Sequence, residues 1–344
     1  MKILITGGAG FIGSNHAHYV VEKHPDWQVV VLDKLTYAGN LDNLSDLEGR
    51  ENFKFVKGDI ADKAFVEQLF AAEKFDAVVN FAAETHVDRS IKEPSIFVQT
   101  NIIGTHNLLE AAKATGVKRY HQVSTDEVYG DLGLNSKDFF TENTNIKPNC
   151  PYAATKASAD LLVLSYFETY KMPVTISRCS NNYGPYQFPE KLIPYFFRLI
   201  EAGKPVPVYG DGLNVRDWLY VIDHCRAIDL ILEKGRIGDV YNVGGNNERT
   251  NLEITKFLLE FFGKDDSLIT YVDDRLAHDR RYAIDSSKLQ SELGWAPSVT
   301  FKEGIQKTFE WYEAHKEWAE KLMSKIDERK HKVVSKTPLE ATRA

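Results

Sequence analysis

The chain has 344 residues, of which 43% are hydrophobic and 26% charged, and its formal net charge is −7. This length allows one large domain with an appended lobe, or two domains, and the composition is that of a soluble globular protein. The mildly acidic balance argues against a nucleic-acid or anionic-membrane partner, no apolar run approaches the ~20 residues of a membrane span, and the N-terminal apolar run is too short for a signal peptide.

Short apolar segments alternate with helix-like segments through the first half of the chain. The strands are predicted at residues 2–6, 28–33, 53–56, 77–82, 119–123 and 174–179. Helices are predicted at 62–73, 95–115 and 152–170 because apolar residues recur there at helical spacing. Continuous apolar strands separated by helices predict a parallel sheet covered on both faces. With right-handed crossovers, the fold class is α/β, a doubly wound Rossmann sheet.

The pattern is more broken after about residue 185. Short strands at 206–209 and 240–245 mix with helices near 190–202, 223–234, 251–263 and 301–318. We therefore predict a main domain over 1–185 and a smaller C-terminal lobe over 186–320 that binds the substrate, with 240–245 returning to the main sheet. Residues 321–344 are predicted to be a charged tail, either a frayed helix or disordered.

A glycine-rich turn follows the first strand directly. Gly7, Gly10 and Gly13 form G-x-x-G-x-x-G, and a helix begins near Phe11. Such glycines allow a tight turn and close approach of a pyrophosphate, and the helix N-terminus offers unpaired N–H groups. By itself the motif also fits a turn without a ligand.

An acidic residue, Asp33, ends the second strand about 20 residues after the last of these glycines. A carboxylate at this place accepts hydrogen bonds from a ribose diol and repels a 2′-phosphate, which favours NAD over NADP. Asp59, after the third strand, is a candidate for adenine contacts. The alternative for Asp33 is a helix cap.

Two further motifs carry candidate chemistry. Tyr152 and Lys156 stand at i and i+4 on one helix face, where the ammonium is expected to lower the pKa of the phenol so that it acts as a base. Asp126 and Glu127 are adjacent carboxylates in STDEVYG, just after the fifth strand. They are either a surface turn or a pair of proton-transfer groups.

These motifs together support a resemblance that extends from residue 1 to about 315. The stretches that carry it are GGAGFIGSN, NFAAETHVDRSI, STDEVYG, YAATKA, NNYGPYQFPEKLIP, VYGDG, RDWLYVIDH and DRLAHDRRYAID. The chain resembles the dTDP-glucose 4,6-dehydratases, which are extended short-chain dehydrogenases/reductases. The resemblance implies a lyase that uses bound NAD to oxidise C4 of the glucose, eliminates water across C5–C6 and returns the hydride to C6. The product is dTDP-4-keto-6-deoxy-glucose, used for deoxysugars such as dTDP-rhamnose.

The resemblance also implies catalytic roles. Tyr152, assisted by Lys156, takes the C4 hydroxyl proton, Glu127 takes the C5 proton and Asp126 protonates the leaving hydroxyl, while Thr125 or Ser124 bonds the reacting oxygen. Asp126 must then be protonated at neutral pH, which an adjacent carboxylate favours. Neighbouring side chains on a strand point to opposite faces, so residues 125–128 are predicted at the carboxyl end of the fifth strand, already turning.

The binding residues are carried over from the same resemblance. The cofactor set comprises Gly7, Gly10, Phe11, Ile12, Gly13, Asp33, Lys34, Thr36, Asp59, Ile60, Ala82, Ala83, Thr100, Ser124, Tyr152, Lys156 and Asn182. The substrate set comprises Glu84, Thr85, Thr125, Asn181, Lys191, Leu192, Pro207, Tyr209, Arg216, Asn251, Asp274, Arg275 and His278. Arg216 is favoured for the diphosphate because a guanidinium binds phosphate with a bidentate fork. Lys191 and Arg275 also fit surface ion pairs.

Other interpretations remain at this point. A UDP- or GDP-sugar dehydratase or epimerase shares the fold and the Tyr/Lys pair, although epimerisation does not need the Asp–Glu pair. A non-enzymatic NAD-binding sensor is the other alternative. The ten histidines show no H-E-x-x-H spacing, so no metal is predicted.

The remaining predictions concern association and location. The cysteines, Cys150, Cys179 and Cys225, are odd in number and lack C-x-x-C spacing, which indicates reduced thiols in a cytoplasmic protein. The resemblance implies a homodimer packed through the helices at 95–115 and 152–170. The sequence leaves open the base specificity, the downstream product, the organism, the rates and the order of the tail.

Overall fold

The computed structural model describes residues 1–274 and 278–324. The strands in chain order are β1 (Lys2–Thr6), β2 (Gln28–Asp33), β3 (Phe53–Lys57), β4 (Ala77–Asn80), β5 (Arg119–Thr125), β6 (Val174–Cys179), β7 (Asn181–Tyr183), β8 (Val206–Tyr209), β9 (Val215–Tyr220), β10 (Val240–Val243), β11 (Glu248–Thr250) and β12 (Ile269–Val272).

Helices connect these strands. In chain order they are α1 (Phe11–Lys23), α2 (Lys63–Glu73), α3 (Val87–Lys92), α4 (Pro94–Phe97), α5 (Thr105–Thr115), α6 (Pro151–Tyr170), α7 (Leu192–Glu201), α8 (Val221–Lys234), α9 (Asn251–Phe261), α10 (Ser287–Leu293) and α11 (Phe301–Ala314). Residues 316–324 are helical as well.

A seven-stranded parallel sheet forms the main body, in the order β10-β6-β5-β4-β1-β2-β3. The predicted doubly wound α/β class is confirmed. The predicted return of 240–245 to this sheet is also confirmed, because β10 pairs with β6. Two small sheets, β11-β9-β7 and β12-β8, lie outside it.

Both faces of the main sheet are buried, which explains its continuous apolar strands. Along β1, Leu4 packs in one core with side chains of α2, α5 and α6, while Ile3 and Ile5 pack in the other with side chains of α1 and α8. Side chains alternate across a strand, so each strand must supply apolar residues to both layers.

Two strand ends differ from the prediction. β4 ends at Asn80, two residues earlier than predicted, and β5 runs on to Thr125, which pairs with Cys179 of β6. An apolar run alone does not mark where a ladder ends, because the side chains just beyond β4 remain partly buried without ladder pairing.

The helix predicted at 95–115 is interrupted. Between α4 and α5, residues Val98–Gly104 form a π-helical segment. Within it, Asn101 accepts a hydrogen bond from the backbone N–H of Glu84 (2.8 Å) and donates to Thr155 on α6 (2.9 Å). The π segment therefore ties the loop after β4 to α6, in keeping with the frequent occurrence of π-bulges at functional sites.

A second core lies in the C-terminal half. It contains Phe197 of α7, Trp218 of β9, Ile254 of α9 and Tyr312 of α11. The helix predicted at 301–318 ends at Ala314, and the chain then forms the separate helical segment 316–324. Arg275 and residues 325–344 lie outside the described residues.

Candidate active site

A cleft opens at the carboxyl ends of the parallel strands, where open α/β sheets bind ligands. All of the residues predicted to bind the cofactor line this cleft. Of the predicted substrate residues, the cleft is also lined by Glu84, Thr85, Thr125, Asn181 and Lys191. Its walls therefore come from both halves of the sheet and from the C-terminal half of the chain.

The glycine turn has the backbone shape that a pyrophosphate requires. Gly7 has φ +68°, and a Cβ added at Gly13 would lie 2.3 Å from the carbonyl oxygen of Gly7, so only glycine fits there. Gly10 caps α1 without a side-chain hydrogen bond, which leaves backbone N–H groups of the first helical turn available. This turn fits the phosphates of a dinucleotide.

Asp33 connects β2 to the glycine turn. Its carboxylate accepts hydrogen bonds from the backbone N–H of Ala9 (3.0 Å) and of Leu35 (2.7 Å), and burial raises its pKa. It does not cap a helix, and each oxygen keeps a second lone pair for a ribose hydroxyl. The neighbouring acid of the predicted set, Asp59, forms an ion pair with Lys34 (2.6 Å).

The predicted Tyr–Lys pair lies in the first turns of α6 and both side chains are buried. Lys156 donates from Nζ to the carbonyl oxygen of Val123 (2.6 Å), and burial lowers its pKa. The expected lowering of the Tyr152 pKa is wrong for this structure. Burial, followed by the negative charge of Glu127, raises the pKa of Tyr152 well above its ordinary value.

The two carboxylates lie where the sequence argument requires them. β5 ends at Thr125, and Asp126–Tyr129 form a 3-10 turn whose first N–H groups are capped by the Thr125 hydroxyl, which accepts from the Glu127 N–H (3.3 Å). The prediction that the chain turns at the end of the fifth strand is confirmed. The turn places Asp126 and Glu127 together on the wall of the cleft.

Asp126 is 2% exposed, and its Oδ1 accepts a hydrogen bond from the Thr125 hydroxyl (3.3 Å). Among the described residues, its Oδ2 and the nearby Ser124 hydroxyl have no hydrogen-bond partner. Burial, then the negative charge of Glu127, raises the Asp126 pKa well above its ordinary value. A buried carboxylic acid with an unused oxygen is suited to donate a proton to a bound molecule.

Arg216 of β9 lies close enough to the acid pair for its positive charge to oppose the raised pKa of Asp126. Its guanidinium carbon is 4.2 Å from the ring centre of Tyr282, and the same group donates to the carbonyl oxygens of Asp279 (2.9 Å) and Val215 (2.7 Å). Tyr282 in turn bonds the Asp279 carboxylate through its hydroxyl. The Tyr282 ring thus packs against one face of the Arg216 guanidinium.

The other predicted substrate residues lie in the C-terminal half, outside the lining of the main cleft. Leu192 begins α7, Pro207 and Tyr209 lie on β8, and Asn251 begins α9. His278 and Asp274 form a pair at 2.6 Å, next to Gly210.

Several residues that line the cleft were not predicted from the sequence. They are Tyr37, Asn40, Asn43, Tyr186, Gln187, Phe188, Trp318 and Leu322. Tyr37 and Asn40 lie in the loop after β2, beside the predicted Lys34 and Thr36, and Asn43 lies in the 3-10 turn Leu41–Leu47 that follows. The next three lie within NNYGPYQFPEKLIP. Neighbouring predicted residues therefore gave a usable signal for these six. Trp318 and Leu322 had none, because they lie in a charged stretch beyond every motif.

In residues 1–274 and 278–324, no group of three or more His, Cys, Asp and Glu side chains has an arrangement that could hold a metal ion. Within the same ranges, no helix has the length and apolarity needed to cross a membrane.

Comparisons with known proteins agree with this geometry. A model of the GDP-mannose 4,6 dehydratase family matches residues 4–308. A dTDP-glucose 4,6-dehydratase from Xanthomonas campestris pv. campestris (strain B100) is 51% identical over 338 residues, covering 93% of this chain and 95% of that protein. One from Escherichia coli is 46% identical over 350 residues, covering 94% and 96%.

Solved structures match over the same extent. The dTDP-glucose 4,6-dehydratase of Bacillus anthracis in complex with NAD has a TM-score of 0.87 and 49% identity, covering 94% of this chain and 99% of that one. The Streptomyces venezuelae enzyme with NAD and TYD bound has a TM-score of 0.89 and 47% identity, covering 94% and 100%. A Thermotoga maritima UDP-glucose 4-epimerase reaches 0.84 at 33% identity, covering 92% and 99%.

Proposed function

We propose that this chain, which belongs to the dTDP-glucose 4,6-dehydratase family, converts dTDP-glucose into dTDP-4-keto-6-deoxy-glucose with NAD as its cofactor. The reaction class is that of a hydro-lyase, because one water is removed and the redox change is internal. The observation that carries the proposal is the turn after β5. It sets two carboxylates, Asp126 and Glu127, on the wall of the same cleft as Tyr152 and Lys156.

NAD, when bound, accepts the hydride from C4 and later returns it to C6. The chain's own residues manage the protons. Tyr152 receives the C4 hydroxyl proton as a phenolate, which requires the positive charge of bound NAD⁺ to offset the burial that raises its pKa. Lys156, fixed to the carbonyl of Val123, holds the N-terminal end of α6 against β5. The Thr125 hydroxyl, at the last residue of β5, orients the reacting oxygen. Burial of this group of residues excludes water from the reacting atoms.

The elimination needs a base and an acid. Oxidation at C4 acidifies the C5 proton, Glu127 removes it to leave an enolate, and Asp126 gives a proton to the C6 hydroxyl as that group departs. Two environments separate these roles. Asp126 is buried with a raised pKa, which favours its protonated form, and its neighbour Glu127 is more exposed. Pairs of carboxyls divided in this way by their surroundings recur in acid–base catalysis.

The turn after β5 also distinguishes a dehydratase from the alternative functions. An epimerase of this class has almost the same fold, so the fold alone does not distinguish the two activities. Epimerisation requires no proton transfer at C5 and C6, and it leaves Asp126 and Glu127 without a role. For the base, relatives at 46–51% identity favour a dTDP-sugar over the GDP-sugar of the family model's description. A sensor without activity would need none of the proton-transfer groups.

We propose a homodimer as the working form. Val98 and Ile103 in the π segment are 43% and 39% exposed, and Leu161 on α6 is 57% exposed. These apolar side chains lie on the two helical regions, 95–115 and 152–170, through which the resemblance implies that two subunits pack. Covering them would remove apolar surface from water. Light scattering at micromolar concentration tests this, and Leu161→Glu should shift the mass to that of one chain.

Further proposals concern organisation and setting. Residues 1–185 bind NAD and carry catalysis, and 186–320 mainly bind the sugar nucleotide. A cytoplasmic location is supported by the cysteines, none of which forms a disulfide within the described chain, where Cys179 and Cys225 are buried. The 4-keto-6-deoxy product suits further reduction to deoxysugars such as rhamnose.

The experiment that tests the activity uses D₂O. The purified protein is incubated with dTDP-glucose, without and with added NAD⁺, and the product is returned to H₂O and weighed by mass spectrometry. Loss of one water with gain of one carbon-bound deuterium is expected, since C5 is reprotonated from solvent. An unchanged mass with dTDP-, UDP- and GDP-glucose would overturn the proposal. Glu127→Gln and Tyr152→Phe are the inactive controls.

A further inference from the structure

The chain crosses back over the cofactor domain after its last long helix. α11 ends at Ala314, and at His315 the backbone leaves the helix while the imidazole stacks on Trp311 (4.2 Å between ring centres) and bonds the Trp311 carbonyl (2.7 Å). After this turn, residues 316–324 are helical again. We call residues 316–324 the C-terminal segment.

A hydrogen-bond chain joins this segment to the glycine turn. Trp318 donates from its indole Nε1 to Oδ1 of Asn43 (2.8 Å), and Asn43 donates from Nδ2 to the carbonyl oxygen of Ala9 (2.9 Å). Asn43 is buried, and Ala9 lies between Gly7 and Gly10. A side chain beyond every sequence motif is thereby connected, through one buried amide, to the turn that receives the pyrophosphate.

Apolar packing and one ion pair fix the rest of the segment. Leu322 is only 4% exposed and packs against Phe188, with Tyr37 and Trp318 beside it. Lys321 forms an ion pair with Asp42, next to the Asn43 amide. Contacts therefore reach both the loop after β2 and the loop before α7, which also touch each other through Tyr37 and Phe188 (5.9 Å between ring centres).

Trp318 and Leu322 themselves line the cleft, together with the glycine turn and Asp33. The two side chains come from the opposite end of the sequence to the glycine turn, so the C-terminal segment contributes directly to the wall of the cofactor cleft.

We propose that the C-terminal segment is a strap that retains NAD in the cleft, with Trp318 and Leu322 as cofactor-binding residues and Asn43 as the residue that positions Trp318. This inference rests on NAD being the cofactor. An enzyme that reoxidises and reuses the same cofactor in each cycle gains from slow cofactor release, because departure of the reduced form would end the cycle before the hydride returns.

The test measures cofactor dissociation, separately from activity. Wild-type protein and variants are loaded with NAD⁺, passed through gel filtration at intervals, and the nicotinamide retained per chain is quantified after denaturation. Leu322→Ala and Trp318→Ala should release NAD⁺ about tenfold faster, corresponding to about 1.4 kcal/mol of lost interaction. Trp318→Phe, which keeps a ring and loses the N–H···Asn43 bond, should release it a few-fold faster.

Two matched controls test specificity. Glu320→Ala changes an exposed residue of the same segment, and Trp295→Phe removes an indole N–H bond, to the Asp223 carbonyl oxygen, from a tryptophan that does not line the cleft. Both should retain NAD⁺ as wild type does. Equal release from wild type, controls and strap variants would overturn the inference, as would release that merely follows the unfolded fraction measured by melting. Failure of the dehydration itself would appear with NAD⁺ in excess, and so is distinguishable from failure of the strap.

Discussion

Lys156 donates its Nζ proton to the carbonyl oxygen of Val123, 2.6 Å away, and so fastens helix α6 to strand β5 just before the strand delivers its two carboxylates. This contact links the Tyr–Lys pair to the strand that carries the acid pair. Replacing Lys156 by Met removes this contact, and we expect kcat to fall by about 10²–10³. Lys156→Arg keeps the charge but lengthens the group in a buried site, and it should recover little activity. Near-wild-type turnover by Lys156→Met would contradict this role.

Replacing Glu127 and replacing Asp126 should block different steps of the reaction. Without the Glu127 base, C5 is not deprotonated, so Glu127→Gln in D₂O should give neither product nor deuterium in the recovered substrate. Without the Asp126 acid, C5 still exchanges, so Asp126→Asn should return dTDP-glucose labelled at C5 while product forms about 10²–10⁴-fold more slowly. Proton NMR of the recovered sugar nucleotide reads both outcomes. Labelled substrate from Glu127→Gln would reverse the assignment of base and acid.

The acid pair also shows how far sequence reasoning reaches. Side-chain alternation along a strand demands a turn before two neighbours can face one ligand, and the chain does turn at Asp126. The end of β4 and the π segment at Val98–Gly104 follow from tertiary contacts, such as the Asn101 bonds to the next loop and to α6, which no local pattern contains. The C-terminal segment was missed for the same reason. The role proposed for Trp318 depends on its hydrogen bond to Asn43, which lies 275 positions away in the sequence.

The raised pKa of Asp126 should lower the stability of the folded protein at alkaline pH. Its folded-state pKa is raised, so the folded protein binds this proton more tightly than the unfolded chain does. The resulting stabilisation is fully present below the unfolded pKa of Asp, ~3.9, and is lost as pH rises through the folded value. Asp126→Asn cannot lose a proton there. We expect this variant to melt higher than wild type at alkaline pH, with the difference shrinking as pH falls. A constant difference at all pH values would show that Asp126 titrates normally.

His16 is a second buried polar side chain that lacks hydrogen-bond partners among the described residues. Burial lowers its pKa to about 4, and among the described residues neither ring nitrogen has a hydrogen-bond partner. The ring packs beside Phe81 (5.2 Å). Replacing it with Leu should stabilise the protein by about 1–3 kcal/mol at neutral pH, since an unsatisfied buried polar group is removed.

The difference in the free energy of unfolding between His16→Leu and wild type should depend on pH. Because the folded pKa is lowered, the stability associated with neutral His16 is present above ~6.5 and is lost as pH falls from there through about 4. The advantage of the variant should therefore grow between pH 6.5 and 4, as measured by urea unfolding. His121 is the matched control. It is also buried, but Thr175 and Ser177 bond its nitrogens, so His121→Leu should destabilise. Destabilisation by His16→Leu would point to an unseen partner for its ring.

Tyr282 is expected to act through Arg216. The guanidinium lies 4.2 Å above the ring, and such a contact is worth about 0.5–2 kcal/mol. Tyr282→Leu removes the platform, so the KM for dTDP-glucose should rise about 3–10-fold while kcat changes little. Tyr282→Phe keeps the ring and loses only the bond to Asp279, so it should stay close to wild type.

A double-mutant cycle separates this positioning role from a direct one. If Tyr282 works only by holding Arg216, then Tyr282→Leu should add nothing in an Arg216→Met background, because the group it supports is gone. Arg216→Lys should also raise KM, since an ammonium cannot bind a diphosphate with a bidentate fork. Additive losses in the cycle would show that Tyr282 contacts the substrate independently of Arg216, and the diphosphate site would then need both side chains as ligands.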